Sequence, residues 1–133
     1  MQVLIAYGLT IVGFLAIDGV WLATMTAAFY KPRLGALLLD KPDLVPALVF
    51  YLVYCVGVVG LAVRPALQSG EWIDALWRGA LLGLVAYGTY DLTNQATLKG
   101  WSLELTIVDM IWGTVLTGAA ASFATIATKW LRP

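Results

Sequence analysis

Three aspartates stand in stretches otherwise written for hydrocarbon: Asp18 in IDGVW (17–21), Asp91 in YDLTN (90–94) and Asp109 in VDMIW (108–112). In a low-dielectric setting a carboxyl group can hold a proton, bind a cation or accept strong hydrogen bonds. Each ionised aspartate at a span centre costs about 2.5–3.5 kcal/mol on insertion scales. Three would approach the whole stability of a typical domain, about 5–15 kcal/mol. No basic residue lies at their depth, and Arg78 stands about 20 Å along the helix from Asp91. Compensation must therefore come from protons, hydrogen bonds, water, snorkelling Lys31, Arg33 or Lys99, or a bound cation.

Helical spacing gives each acid its company. Tyr87, Tyr90, Asp91 and Asn94 fall at i, i+3, i+4 and i+7, which is one face. The same face runs back through Gly83 and Gly79, a pair of small residues that lets another helix approach closely. Asp18 and Trp21 share a face, as do Asp109 and Trp112, so the unit Asp-x-x-Trp occurs twice. The candidate ligand-binding residues are thus Asp18, Trp21, Tyr87, Tyr90, Asp91, Asn94, Asp109 and Trp112. No catalytic residue is assigned. On oppositely directed helices the two tryptophans are expected to bracket a small pocket, one above and one below. Tyr51, Tyr54 and Val58 read as packing residues.

The elements that must position these groups are membrane spans. The chain has 133 residues, 61% hydrophobic and 12% charged, whereas a soluble domain has about 25% charged residues. Residues 1–30 carry Asp18 as their only charged side chain, 44–63 carry none, 79–98 carry Asp91 alone and 105–128 carry Asp109 alone. Runs of about 20 apolar residues cross a bilayer. The expected spans are about 3–25, 44–63, 73–96 and 103–128, in a single transmembrane domain. The first lacks a Lys/Arg-rich start and reads as a retained helix rather than a leader. Short connections predict an all-α membrane protein, four transmembrane helices in an up-down antiparallel bundle. Pro32, Pro42 and Pro65 read as stops between them, with Leu34 to Leu39 lying along the bilayer surface. At about 1.5 Å per residue the three acids come to lie roughly 8–11 Å below one surface. Loop charge leaves orientation open, since Arg64, Arg78, Lys129 and Arg132 on one face balance Lys31, Arg33, Lys41 and Lys99 on the other.

Absences narrow the chemistry. Without histidine there is no His-ligated haem or zinc and no His general base. The single cysteine, Cys55, can form neither an internal disulfide nor a thiolate cage and reads as a buried thiol. No metal site and no cofactor motif is present, and zero net charge gives nucleic-acid binding no support.

The stretches IDGVWL (17–22), YDLTNQATLKGW (90–101) and VDMIWG (108–113) resemble a bacterial family of small four-span membrane proteins known only as a domain of unknown function. The resemblance covers nearly the whole chain. It implies a multi-pass protein of the bacterial inner, cytoplasmic membrane and supplies no catalytic role.

Three functions compete. The acids and aromatic rings suit a pocket for proton-linked binding or transport of a small cation or amphipathic ligand, with Trp21, Trp112 and Tyr90 as cation–π faces. A transporter of this size is expected to work as a homodimer. An accessory subunit of a larger membrane complex would use the small-residue stretch 118–122 for helix contact and the acids as braces, worth about 0.6–1.7 kcal/mol per bond. An enzyme acting on a lipid or isoprenoid would divide acid and base roles between the aspartates. Whether the protein is an enzyme at all is left open by the sequence. Membrane lipid is a partner in every case.

Overall fold

A computed structural model describes residues 1–132. It is an all-α membrane protein whose four long helical rods run up and down, joined by short turns. α1 (Gln2–Met25) continues through a π-helical turn (Thr26–Tyr30) into α2 (Lys31–Leu34). α3 (Leu44–Val58) continues through a second π turn (Val59–Val63) into α4 (Arg64–Ser69). α5 (Trp72–Thr97) and α6 (Leu103–Leu131) complete the bundle. Three rods, Gln2–Leu37, Leu44–Ser69 and Leu103–Leu131, are long and apolar enough to cross a membrane on their own composition. α5 matches them in length but carries Asp74, Arg78, Asp91, Asn94 and Gln95, and lies along α6.

The first two rods overrun their expected ends. Pro32 and Pro65 were expected to stop them, because a proline ring clashes with the carbonyl four residues back. Here each proline follows a π turn, as TAAFY-KP and VGLAV-RP, so that the carbonyls of Ala28 and Leu61 sit in the widened segment. The extra residue per turn makes room for the ring and the rod continues. Glycines with positive φ end the α-helical path: Gly35 (52°), where a 3₁₀ turn takes the rod on to Leu37, and Gly70 (83°), with Gly100 (73°) turning α5 toward α6. Leu37, Leu38 and Leu39 follow as exposed residues, so only the end of the expected surface segment leaves the rod. Side-chain caps start α3 and α6: Asp43 accepts from the Val45 amide at 3.1 Å, and Ser102 accepts from the Leu105 amide at 3.2 Å.

Close packing of α5 on α6 follows from the missing side chains. A Cβ on Gly83 would stand 2.1 Å from the Gly113 carbonyl oxygen, and one on Gly79 would stand 2.7 Å from the Thr117 oxygen. The small-residue stretch 118–122 is used within the bundle, with Gly118, Ala120, Ala121 and Ser122 buried. The apolar core, including Val58, Ala62, Val63, Ala75, Leu116 and Ala124, gathers toward the end that carries the termini. Cys55 is buried within it. There the Val59–Ser69 stretch packs against α5 and α6. At the other end α3 leans on α1, and long aromatic side chains rather than backbone contact bridge it to the rest. The bundle is tight at one end and wedge-shaped at the other. The aspartates lie in the wedge.

Candidate functional site

Asp18, seven residues before the end of α1, is 6% exposed and takes two donors. The Tyr51 hydroxyl of α3 donates to Oδ2 at 2.6 Å, and the Trp112 indole of α6 donates to Oδ1 at 3.1 Å. Asp109, in the second turn of α6, accepts from the Tyr30 hydroxyl at 2.5 Å. Tyr30 in turn accepts from the Trp21 indole at 3.0 Å. Trp21 and Trp112 stack, with centroids 4.1 Å apart and planes 6° from parallel. Two hydrogen-bonded runs, Tyr51–Asp18–Trp112 and Trp21–Tyr30–Asp109, are therefore joined through the stacked indoles.

Asp91 is the exception to this saturation. It is wholly buried, and neither carboxyl oxygen receives a donor from the described residues. The group its carboxyl meets is the carboxyl of Asp109, another acceptor. Two such groups can form a hydrogen bond only with a proton between them. No Lys or Arg ion pair reaches the pair: among the described residues the ion pair is Arg33 with Glu104 at 2.8 Å, at the surface. That contact ties the end of the first rod to the start of α6, with Arg33 also lying 3.9 Å over the Phe29 ring.

A cavity of about 360 Å³ lies beside this pair, lined by Phe50, Ala86, Tyr87, Tyr90 and Asp109. It sits in the wedge between α3 and α5, with Asp109 as its one acid. The Tyr87 ring rests on Gly113, where a Cβ would be 2.1 Å from the ring carbon. Tyr90 is 55% exposed and meets Trp101 edge to face at 5.7 Å. Behind Trp101, its indole donates to Thr106 at 2.9 Å, and Thr106 donates to Gln95 at 3.0 Å, closing the α5–α6 turn.

A family model described as "Predicted membrane protein (DUF2177)" matches residues 3–126. The chain belongs to that family. Neither a curated protein nor a solved structure matches it. Membership thus makes this a membrane protein and leaves activity to the geometry.

Of the residues singled out from the sequence, the structure joins Asp18, Trp21, Asp91, Asp109 and Trp112 in one cluster. Tyr87 and Tyr90 lie on the cavity wall. Asn94 is half-buried and makes no side-chain hydrogen bond to the described residues. The space expected between the two indoles is closed by their stacking. The shared cavity expected for three acids is reached by Asp109 alone, with Asp91 and Asp18 behind it.

Sequence reasoning missed Tyr30 and Tyr51. Tyr51 was read as packing, although a phenol on the second rod at the depth of an acid is a donor in search of one. Tyr30 lay beyond the expected end of the first span. Nine residues after Trp21, it would face away on an ideal helix; the extra residue of the π turn brings it back by about a hundred degrees. Many hydroxyls carry no such meaning: those of Thr10, Thr89, Thr114, Ser122 and Thr125 return to carbonyls four residues back in their own helices.

Proposed function

We propose that this integral membrane protein binds a small amphipathic cation drawn from the bilayer and exchanges it against a proton held between Asp91 and Asp109. The observation that carries the reading is Asp91: it is fully buried with both carboxyl oxygens unpaired among the described residues, and its acidic neighbour Asp109 lines an aromatic cavity. An unpaired buried carboxylate costs several kcal/mol, so the pair is held neutral in part by a proton or balanced by a positive ligand. A cation arriving at Asp109 makes the shared proton dispensable. Phe50, Tyr87 and Tyr90 offer ring faces to such a ligand. The volume falls within the roughly 300–1,000 Å³ usual for small-molecule sites. The wedge between α3 and α5 provides a lateral path from the lipid, since α3 leans on α1.

Asp18 has a different part. Its oxygens are occupied by Tyr51 and Trp112, so it fixes the Trp112–Trp21 stack and, through Tyr30, the orientation of Asp109.

The test uses purified protein in nanodiscs with tetraphenylphosphonium as the probe, binding and proton release being measured together. The wild-type protein is expected to bind the probe and release protons in proportion. Asp109→Asn should lose affinity at least tenfold, and Asp91→Asn should bind without proton release. Wild-type protein that ignores the probe, or binding and release that survive both substitutions, would remove the proposal.

A further inference from the structure

At the other end of the bundle, Arg78 lies outside the aspartate cluster and makes no hydrogen bond to the described residues. It stands in the second turn of α5, half-buried, with its Nε shielded from solvent and unpaired. It forms no ion pair with the described residues. Asp74, four residues earlier, is engaged otherwise: its Oδ1 accepts from the Trp77 indole at 3.1 Å. The guanidinium rests over the Trp77 ring, 4.6 Å from the centroid, which leaves its in-plane donors free. An unsatisfied donor in an apolar setting is costly, so the position calls for an acceptor from outside the chain.

A groove of about 380 Å³ runs beside it, lined by Leu61, Trp77, Arg78, Leu81, Leu82 and Val85. Leu61, Trp77, Leu81 and Val85 are all about half exposed, facing outward where the bilayer would lie. Arg78 is about 9 Å along α5 from its first residue, and Val85 about 10 Å further. The groove thus leads from headgroup level into the acyl layer, with its one cation at the outer end.

We infer that this groove is a binding site for an anionic phospholipid. The phosphate takes the Arg78 guanidinium, whose fork of donors suits two phosphate oxygens. One acyl chain lies along Leu61, Leu81, Leu82 and Val85. Charge complementarity selects an acidic lipid, because a choline headgroup would bring a second cation to the same place. The site is separate from the cavity at Asp109 and does not depend on the function proposed for it.

Delipidated protein in a mild detergent, supplied with equal mole fractions of phosphatidylglycerol and phosphatidylcholine, gives the test; native mass spectrometry counts the lipid retained and the same samples give Tm. Phosphatidylglycerol should be retained several-fold over phosphatidylcholine and should raise Tm more. Arg78→Gln should abolish that preference, Arg78→Lys should keep part of it, and Lys99→Gln at the opposite end should leave it intact. Val85→Trp, which fills the apolar part of the groove, should lower retention with Arg78 in place and guards against a folding defect in the arginine variants. Equal retention of the two lipids overturns the inference, as does a preference that survives both Arg78→Gln and Val85→Trp. Inorganic phosphate at matched ionic strength should give no protection; protection equal to that of the lipid would assign the site to free phosphate and sink the lipid reading.

Discussion

Trp21 and Trp112 lie face to face, and each serves the acid of the other's helix. Trp112 donates directly to Asp18, while Trp21 donates to Tyr30, which donates to Asp109. Each aspartate also receives a tyrosine hydroxyl, Tyr51 for Asp18 and Tyr30 for Asp109. The two Asp-x-x-Trp units are thus cross-braced on antiparallel helices. Here directional hydrogen bonds at both indoles hold the stack.

That arrangement predicts unequal tryptophans. Trp112→Phe removes a donor aimed straight at a buried carboxylate and should cost about 1–3 kcal/mol. Trp21→Phe should cost less, because Tyr30 still donates to Asp109. Thermal unfolding in detergent gives the order, and near-ultraviolet circular dichroism should show the paired-indole signal lost in both. A larger loss for Trp21→Phe would reverse the reading.

The phenols should sort by acceptor. Tyr30→Phe and Tyr51→Phe each strip a buried acid of a charge-assisted bond and should destabilise by about 1.5–3 kcal/mol. Tyr54 pairs with the neutral Thr117 hydroxyl at 2.8 Å, so Tyr54→Phe should cost nearer 1 kcal/mol. Chemical or thermal denaturation of the three variants in one detergent decides the matter.

Glycines that look alike in sequence should behave oppositely. Gly83→Ala drives a methyl into the Gly113 carbonyl and should cost about 1–3 kcal/mol. Gly8→Ala meets nothing within 4 Å and, being in a helix, should be neutral or stabilising by up to about 1 kcal/mol. Equal Tm values for the two would contradict the close α5–α6 contact.

Asp91 should tolerate an amide and reject an apolar group. Asn can donate an N–H to Asp109 where the shared proton stood, so Asp91→Asn should stay within about 1 kcal/mol of wild type. Asp91→Leu leaves Asp109 facing a side chain without a donor and should lose about 1–3 kcal/mol. Comparing the two by thermal unfolding, with Tyr30 intact, tests the pairing apart from any ligand.

Much of this was legible in the chain. Four apolar runs, three of them broken by a single aspartate, gave the helix count, and 1.5 Å per residue put three acids at one level. Gly79 and Gly83 announced a close neighbour without naming it as α6. The helix ends were less legible, because Pro32 and Pro65 stop a helix only if its turns stay α-helical. The π turns that absorb them are a compromise of the whole backbone, and they also return Tyr30 to the site.

Sequence alone determined that buried charge had to be compensated, since hydropathy and spacing place carboxylates where water is scarce. Which group compensates which was decided by tertiary structure. The partners Tyr51 and Asp18 are 33 residues apart, Tyr30 and Asp109 are 79, and Trp112 and Asp18 are 94. Hydrogen bonds depend on distance and angle in space, and no periodicity along one helix encodes the rotation of another. Only the packed bundle could close the gap between Trp21 and Trp112 and leave Asp91 facing Asp109.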